Sequence, residues 1–323
     1  MPGRPRPSDK DMTYPLEFRR VSREFQVRKG LLDLRGMTLR AVDDVSLHVE
    51  KGETLGLVGE SGCGKSTLAR MAVGLLAPSA GEVLIDAAPL ASLMSRERAR
   101  RIQMVFQDPF SSLNPRLSVG TSVAEPLRMT RPELSSADLR ERVLAMLEKV
   151  ELRPEQADLF PHEFSGGQRQ RVAVARALVA DPSLVVCDEP VSALDASVQA
   201  QVLNLLKDMQ DERGLSYLFI SHDLSVVGFM SRQIAVMYLG HIVELASRDE
   251  LFSHPAHPYS RALLAAAPGK GGTPLAGEMP SPFVPPRGCA FHPRCPIARE
   301  LCREKSPEEQ ASGGHIVRCH FPL

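Results

Sequence analysis

Tryptophan is absent from the chain, and aromatic residues make up only 5% of it. That scarcity argues against a surface built to stack bases on rings. Charge of one sign is missing too: 39 Lys and Arg face 39 Asp and Glu, and the pI is near 7.1. With no net basic charge, nucleic acid is not an expected partner. No run approaches the roughly 18 consecutive apolar residues of a membrane span. The apolar stretch Leu68–Ala77 is short and contains Arg70. The first residues are rich in Arg and Pro and carry no apolar stretch of secretory type. These absences predict a soluble, intracellular protein. Internal repeats are lacking as well.

What is present fills about two domains: 323 residues, 43% of them hydrophobic. Residues 1–15, with Pro2, Pro5, Pro7 and Pro15, read as a flexible tail. Over 16–252, short apolar runs alternate with helical stretches. Leu55–Val58, Gln103–Phe106, Leu184–Cys187 and Tyr217–Ile220 read as strands. Lys65–Leu76, Leu139–Val150, Gln168–Val179 and Val198–Arg213 read as helices. That alternation predicts βαβ units, hence an α/β fold around a mostly parallel sheet. Residues 115–165 hold no convincing strand and read as a helical insertion. Then the composition shifts: twelve of the 26 prolines and four of the six cysteines follow residue 253. Residues 253–323 are expected to form a separate, loop-rich module.

The segment Gly59-Glu-Ser61-Gly62-Cys63-Gly64-Lys65-Ser66-Thr67 follows an apolar strand and opens a helix. This is the G-x-x-x-x-G-K-[ST] pattern in its required context. Glycines let successive N–H groups turn inward as an anion nest, and the helix N-terminus adds positive potential. Lys65 supplies a point charge to the β- and γ-phosphates, and Ser66 a hydroxyl to Mg²⁺. Cys63 reads as a small filler, with the alternative that the helix N-terminus makes its thiol reactive. A second apolar strand ends in Asp188 and Glu189. Asp188 is placed to hold Mg²⁺, a hard cation that takes oxygen ligands, and Glu189 to act as general base on water.

Between these motifs lies Phe164-Ser165-Gly166-Gly167-Gln168. Ser-Gly-Gly opens a helix and offers a second cluster of free N–H groups. One nucleotide rarely needs two such sites, so the simplest resolution is a dimer in which each serves a different nucleotide. On these motifs the chain resembles the ATP-binding subunit of an ATP-binding cassette (ABC) transporter. The family's signature begins with Leu where this chain has Phe164. The resemblance covers about residues 16–265. It implies a P-loop core with a mostly parallel sheet, an antiparallel β portion, a helical subdomain and a small Cys- and Pro-rich C-terminal extension. It also implies roles for further residues. Gln107 resembles the glutamine that senses Mg²⁺ and the γ-phosphate, and His222 the switch histidine. Asp195, in Ser192-Ala-Leu-Asp195, resembles the loop that crosses the dimer interface. Phe25 lies where the family sets an aromatic ring against adenine.

Gln107-Asp-Pro-Phe-Ser-Ser-Leu-Asn-Pro-Arg116 and His257-Pro-Tyr-Ser-Arg-Ala-Leu-Leu264 are similar to segments of oligopeptide and dipeptide importers, and the stretch Pro109–Arg116 resembles that of their second ATPase. The partners implied are a second ATPase subunit (a paralogue rather than a second copy), two membrane permeases and an extracytoplasmic binding protein. The implied location is the cytoplasmic face of the inner membrane. The alternatives are an importer of nickel or glutathione, or a soluble ABC ATPase of DNA repair or translation.

Cys289, Cys295, Cys302 and Cys319 are spaced C-x5-C-x6-C-x16-C in a Pro-rich segment with little apolar periodicity. Disulfides are disfavoured in a reducing compartment, which leaves separate buried thiols or a metal site. Zinc usually shows a close C-x2–4-C pair, which is missing here; iron–sulfur clusters accept variable spacing. Some importer ATPases that this tail resembles hold a [4Fe–4S] cluster there, so the resemblance favours iron over zinc. His292 and His320 are spare ligands.

Overall fold

The computed structural model describes residues 13–27, 37–108, 112–266 and 277–323. Two sheets organise them. Strands β1 (Leu16–Val27), β2 (Met37–Val49), β4 (Ala80–Ile85) and β5 (Ala88–Pro89) form an antiparallel sheet in the order β2-β1-β4-β5. The larger sheet contains β3 (Thr54–Val58), β6 (Ile102–Val105), β7 (Leu184–Asp188), β8 (Ser216–Ile220), β9 (Gln233–Tyr238), β10 (His241–Ser247), β11 (Glu309–Ser312) and β12 (His315–Arg318). Its order is β11-β12-β10-β9-β3-β8-β7-β6. The run β9-β3-β8-β7-β6 is parallel; the other three pairings are antiparallel.

Continuous apolar runs make sense here because both faces of the parallel strands are covered. Alternate side chains leave opposite faces, and the two cores divide accordingly. Leu184, Val186, Leu218 and Ile220 join one core with Leu68 and Met71 of helix α1 (Lys65–Ala72). Val185, Cys187, Tyr217 and Phe219 join the other. That second core also takes residues of α5 (Gly166–Leu178), α6 (Ala196–Arg213) and α7 (Leu224–Met230).

The insertion is helical as expected. After α2 (Ser95–Arg101) come α3 (Val119–Thr130), opened by Ser118, and α4 (Ser136–Lys149), opened by a Ser135/Asp138 capping box. Apolar Val123, Leu127, Val143 and Leu147 carry both onto the α5 side of the core. Helix α8 (Arg248–Ser253), α9 (Pro258–Ala265) and α10 (Glu300–Glu304) follow the sheet strands β9 and β10. Among the described residues no helix is long and apolar enough to cross a membrane.

Three expectations change. The helix expected over 65–76 stops at Ala72, because Gly74 takes a left-handed backbone (φ +70°) that ends the turn. The tail expected over 1–15 falls mostly outside the described residues, but the Tyr14 ring packs tilted against His48 with centroids 4.0 Å apart, and its carbonyl accepts from Asp86 N–H. The C-terminal region does not stand apart from the core. Strand β12 pairs with β10, Glu244 opposite Val317 and Leu245 opposite Ile316, so a late hairpin widens the larger sheet.

Candidate functional site

Parallel strands bring their carboxyl ends to one rim, where ligands of such sheets bind. Four candidate segments stand there: the loop after β3, Gln107 after β6, Asp188–Glu189 at the end of β7, and His222 after β8. A cleft of about 690 Å³ opens between them and the antiparallel sheet. Ser61 through Thr67, Gln107, Glu189 and His222 line it, and Phe25 faces them from β1.

The loop's shape depends on glycine. At Gly64 (φ +117°) a Cβ would sit 2.2 Å from the Ala41 carbonyl oxygen, so only glycine lets the loop lie against β2. Lys65 is buried, and its Nζ donates to the carbonyls of Gly59 at 2.7 Å and Glu60 at 3.0 Å. The ammonium is thus held along the loop rather than free to swing. Ser66 Oγ donates to Asp188 Oδ1 at 3.1 Å. Burial pushes the Asp188 carboxyl up from its ordinary value, and the Ser66 hydroxyl pulls it back down. A buried carboxylate against a hydroxyl, with the Gln107 amide nearby on the cleft wall, is a set of hard oxygen donors that fits Mg²⁺.

Glu189 Oε2 accepts from Gln107 Nε2 at 3.1 Å and lies 3.2 Å from His222 Nδ1. The backbone of Glu189 is left-handed, φ +49°, and its N–H donates to the Ile220 carbonyl at 2.9 Å. Such strain persists where the surroundings fix it, and here it aims one carboxylate at both partners. Cys63 is buried, and burial pushes its thiol up, an environment that suits the small filler.

Ser165, Gly166, Gly167 and Gln168 do not line this cleft. Ser165 caps α5 in a reciprocal box with Gln168. Ser165 and Gly166 are exposed, whereas Phe164 is 4% exposed and belongs to the core, so the Phe-for-Leu change is absorbed by packing. Asp195 caps α6 through the N–H groups of Val198 and Ser197, which with the Ser197 hydroxyl hold its carboxyl low. A Cβ on Gly167 would strike Val198 Cγ1 at 2.4 Å, so α5 and α6 meet in contact. Gln107 is placed, but Pro109, Phe110 and Ser111 of the same segment lie outside the described residues.

A family model described as "ABC transporter" matches residues 42–192, and one described as "Oligopeptide/dipeptide transporter, C-terminal region" matches 243–302. The oligopeptide transport ATP-binding protein AppF of Bacillus subtilis is 48% identical over 95% of this chain and 97% of its own. OppF of Salmonella typhimurium is 51% identical over 87% of this chain and 88% of its own. The dipeptide transport ATP-binding protein DppF of Haemophilus influenzae is 49% identical over 93% and 94%. Among solved structures, a dimeric ATP-binding cassette in a post-hydrolysis state with ADP and Pi matches with a TM-score of 0.65 and 30% identity, over 72% of this chain and 98% of that one. The chain belongs to the ATP-binding subunits of ABC transporters of the oligopeptide/dipeptide type. It is an ATPase, and such subunits use ATP with Mg²⁺.

The four candidate cysteines Cys289, Cys295, Cys302 and Cys319 are free thiols around one small cavity, with His292 and His320 beside them. Burial and the neighbouring cysteines push Cys289 up to about 11, and burial also raises Cys295 and Cys319. Among the described residues, however, no three or more His, Cys, Asp or Glu side chains are gathered as a metal-binding group.

Two features of the importer ATPase escape sequence reading. Pro282, from the Pro-rich region, lines the cleft, as do Arg40, Leu239 and Gly240. Glu60, a variable position of the phosphate loop, is gripped from outside by Tyr259 and Arg294. Neither carries a local signal, since both depend on residues brought together by the fold.

Proposed function

We propose that this chain powers peptide uptake by closing and reopening a pair of ATPase subunits around ATP. The observation that carries this reading is the division of labour across the surface. Lys65, Ser66, Gln107, Glu189 and His222 share one cleft, while the exposed Ser165–Gly166 amides face elsewhere. Each ATP is then held by Lys65 and Ser66 of one subunit and by Ser165–Gln168 of the other, with Asp195 at the crossing. Ser66, Gln107 and Asp188 hold Mg²⁺, which neutralises developing charge on the phosphates when bound. Glu189 takes a proton from the attacking water, and Gln107 and His222 keep its carboxylate in place. Phe25 stacks against adenine.

The partners are a second ATPase, a paralogue, together with two permeases and an extracytoplasmic binding protein, at the cytoplasmic face of the inner membrane. A groove between α2, β6 and α3, with exposed Leu75, Phe106 and Met129 at its wall, suits a permease loop. The test is uptake of labelled peptide in a strain lacking this gene. The wild-type gene should restore uptake. Met129→Asp should fail to, although the purified variant keeps its ATPase activity. Restored uptake of nickel or glutathione but not peptide would reassign the cargo. The short helical pair of the insertion gives no support to the DNA-repair alternative.

We further propose that the four cysteines carry a [4Fe–4S] cluster, with zinc as the competing metal. The support is the one small cavity that all four cysteines line, since iron–sulfur clusters take four Cys thiolates. Anaerobically purified protein is expected to contain iron and sulfide, and Cys295→Ser to lose them. Zinc, or no metal in protein kept from oxygen and chelator, would refute the cluster.

A further inference from the structure

Glu60 is the second residue of the phosphate loop, and residues far along the chain hold it. Its carboxylate accepts two hydrogen bonds from the Arg294 guanidinium, Nη1 to Oε2 at 2.6 Å and Nη2 to Oε1 at 3.0 Å. Its backbone N–H donates to the Tyr259 hydroxyl at 3.0 Å. Its carbonyl accepts from Lys65 Nζ at 3.0 Å. One residue therefore links the phosphate-binding lysine to side chains 199 and 234 positions later.

The grip is built to last. The Arg294 side chain is 4% exposed and Glu60 29%. A bidentate, shielded pair is directional in a way that loose surface pairs are not. Arg294 itself is fixed by the turn His292–Arg294, where His292 N–H donates to the Cys289 carbonyl and Arg294 N–H to that of Phe291. Phe291 is 1% exposed and packs edge-on to Tyr238 at 5.3 Å and against Tyr259 at 5.4 Å. Moving the guanidinium would mean unpacking that aromatic cluster.

We propose that Arg294 is a positioning residue for nucleotide binding: through Glu60 it presets the phosphate loop, so the cysteine-bearing region tunes affinity for MgATP. The proposal rests on the reading of the cleft as the ATP site. A loop without the brace must order itself when ATP arrives, which weakens binding. Glu189, Gln107 and His222 stand on other elements, so chemistry in the filled site is spared.

The experiment uses full-length Arg294→Met, Glu60→Gln and the double variant, with MgATP kinetics and binding of a fluorescent ATP analogue. Each single variant should raise the KM for MgATP and the Kd of the analogue by roughly tenfold. For Arg294→Met, kcat at saturation should stay within about twofold of wild type. The double variant should be no worse than either single one, since both remove the same contact. Unchanged KM, losses that add in the double variant, or a fall in kcat alone would overturn the proposal. If Arg294→Met does not fold, Glu60→Gln decides, and a normal KM there is fatal. Lys65→Ala measured alongside keeps the two levels apart. If it retains ATP binding, the cleft reading fails. If it loses binding while the other variants bind normally, only the brace fails.

Discussion

Glu189→Gln is expected to lower ATP turnover by roughly 10²–10⁴, the span usual for a positioned general base, while ATP binding survives. Glu189 directly follows a buried strand, takes a left-handed backbone, and presents one carboxylate oxygen to both Gln107 and His222. Glutamine keeps the size and a hydrogen-bonding amide but cannot accept the water's proton. The phosphate loop is untouched, so the ATP-loaded closed dimer should accumulate and elute as a dimer in size-exclusion chromatography. Turnover near the wild-type rate would remove Glu189 from the base role. Loss of ATP binding would show that the substitution damaged the cleft rather than the chemistry.

The second large effect concerns the surface around Ser165. A Ser165→Arg chain should still bind ATP weakly through its own loop, because Ser165 lies outside that cleft. It should not form a productive sandwich, since a bulky cation would occupy the exposed cap of α5. Lys65→Ala should lose ATP binding in its own cleft. In a mixed dimer of the two, one composite site carries both defects and the other carries neither. Partial recovery of ATPase activity on mixing is therefore expected, and mixed dimers without recovery at any ratio would rule out independent composite sites.

Both effects trace to motifs that are contiguous in the sequence, and that explains why they were legible. A glycine-rich turn, an acid at the end of an apolar strand and a Ser-Gly-Gly helix start each state their chemistry within nine residues or fewer, Gly59 to Thr67 being the longest. The strands β7 and β8 were equally readable from unbroken apolar runs, whereas their division between two cores emerges only in the fold. Contacts that join distant segments were not readable either. Nothing near residue 60 announces Arg294, and nothing in a Pro-rich stretch announces that Pro282 will border the cleft. The same holds for β11 and β12. Four-residue strands among prolines and charges carry too little periodicity to be placed on a sheet from sequence.

That hairpin has a consequence for how the chain is made. Strand β10 is paired with β9 on one side and with β12 on the other. Buried Glu244 on β10 accepts the N–H groups of Ala256 and His257 and lies 2.7 Å from His315 Nε2, a partner 71 residues further along. While a ribosome is still making those residues, the rest of the sheet can already be assembled, yet β10 presents an open row of peptide groups and a carboxylate short of one partner. Open edges of this kind recruit other strands, and nascent chains are most exposed to it. The polar, fully exposed β11 then closes the sheet with a side that invites no further pairing. The late hairpin thus gives the growing chain a vulnerable interval, which ends only when β12 docks.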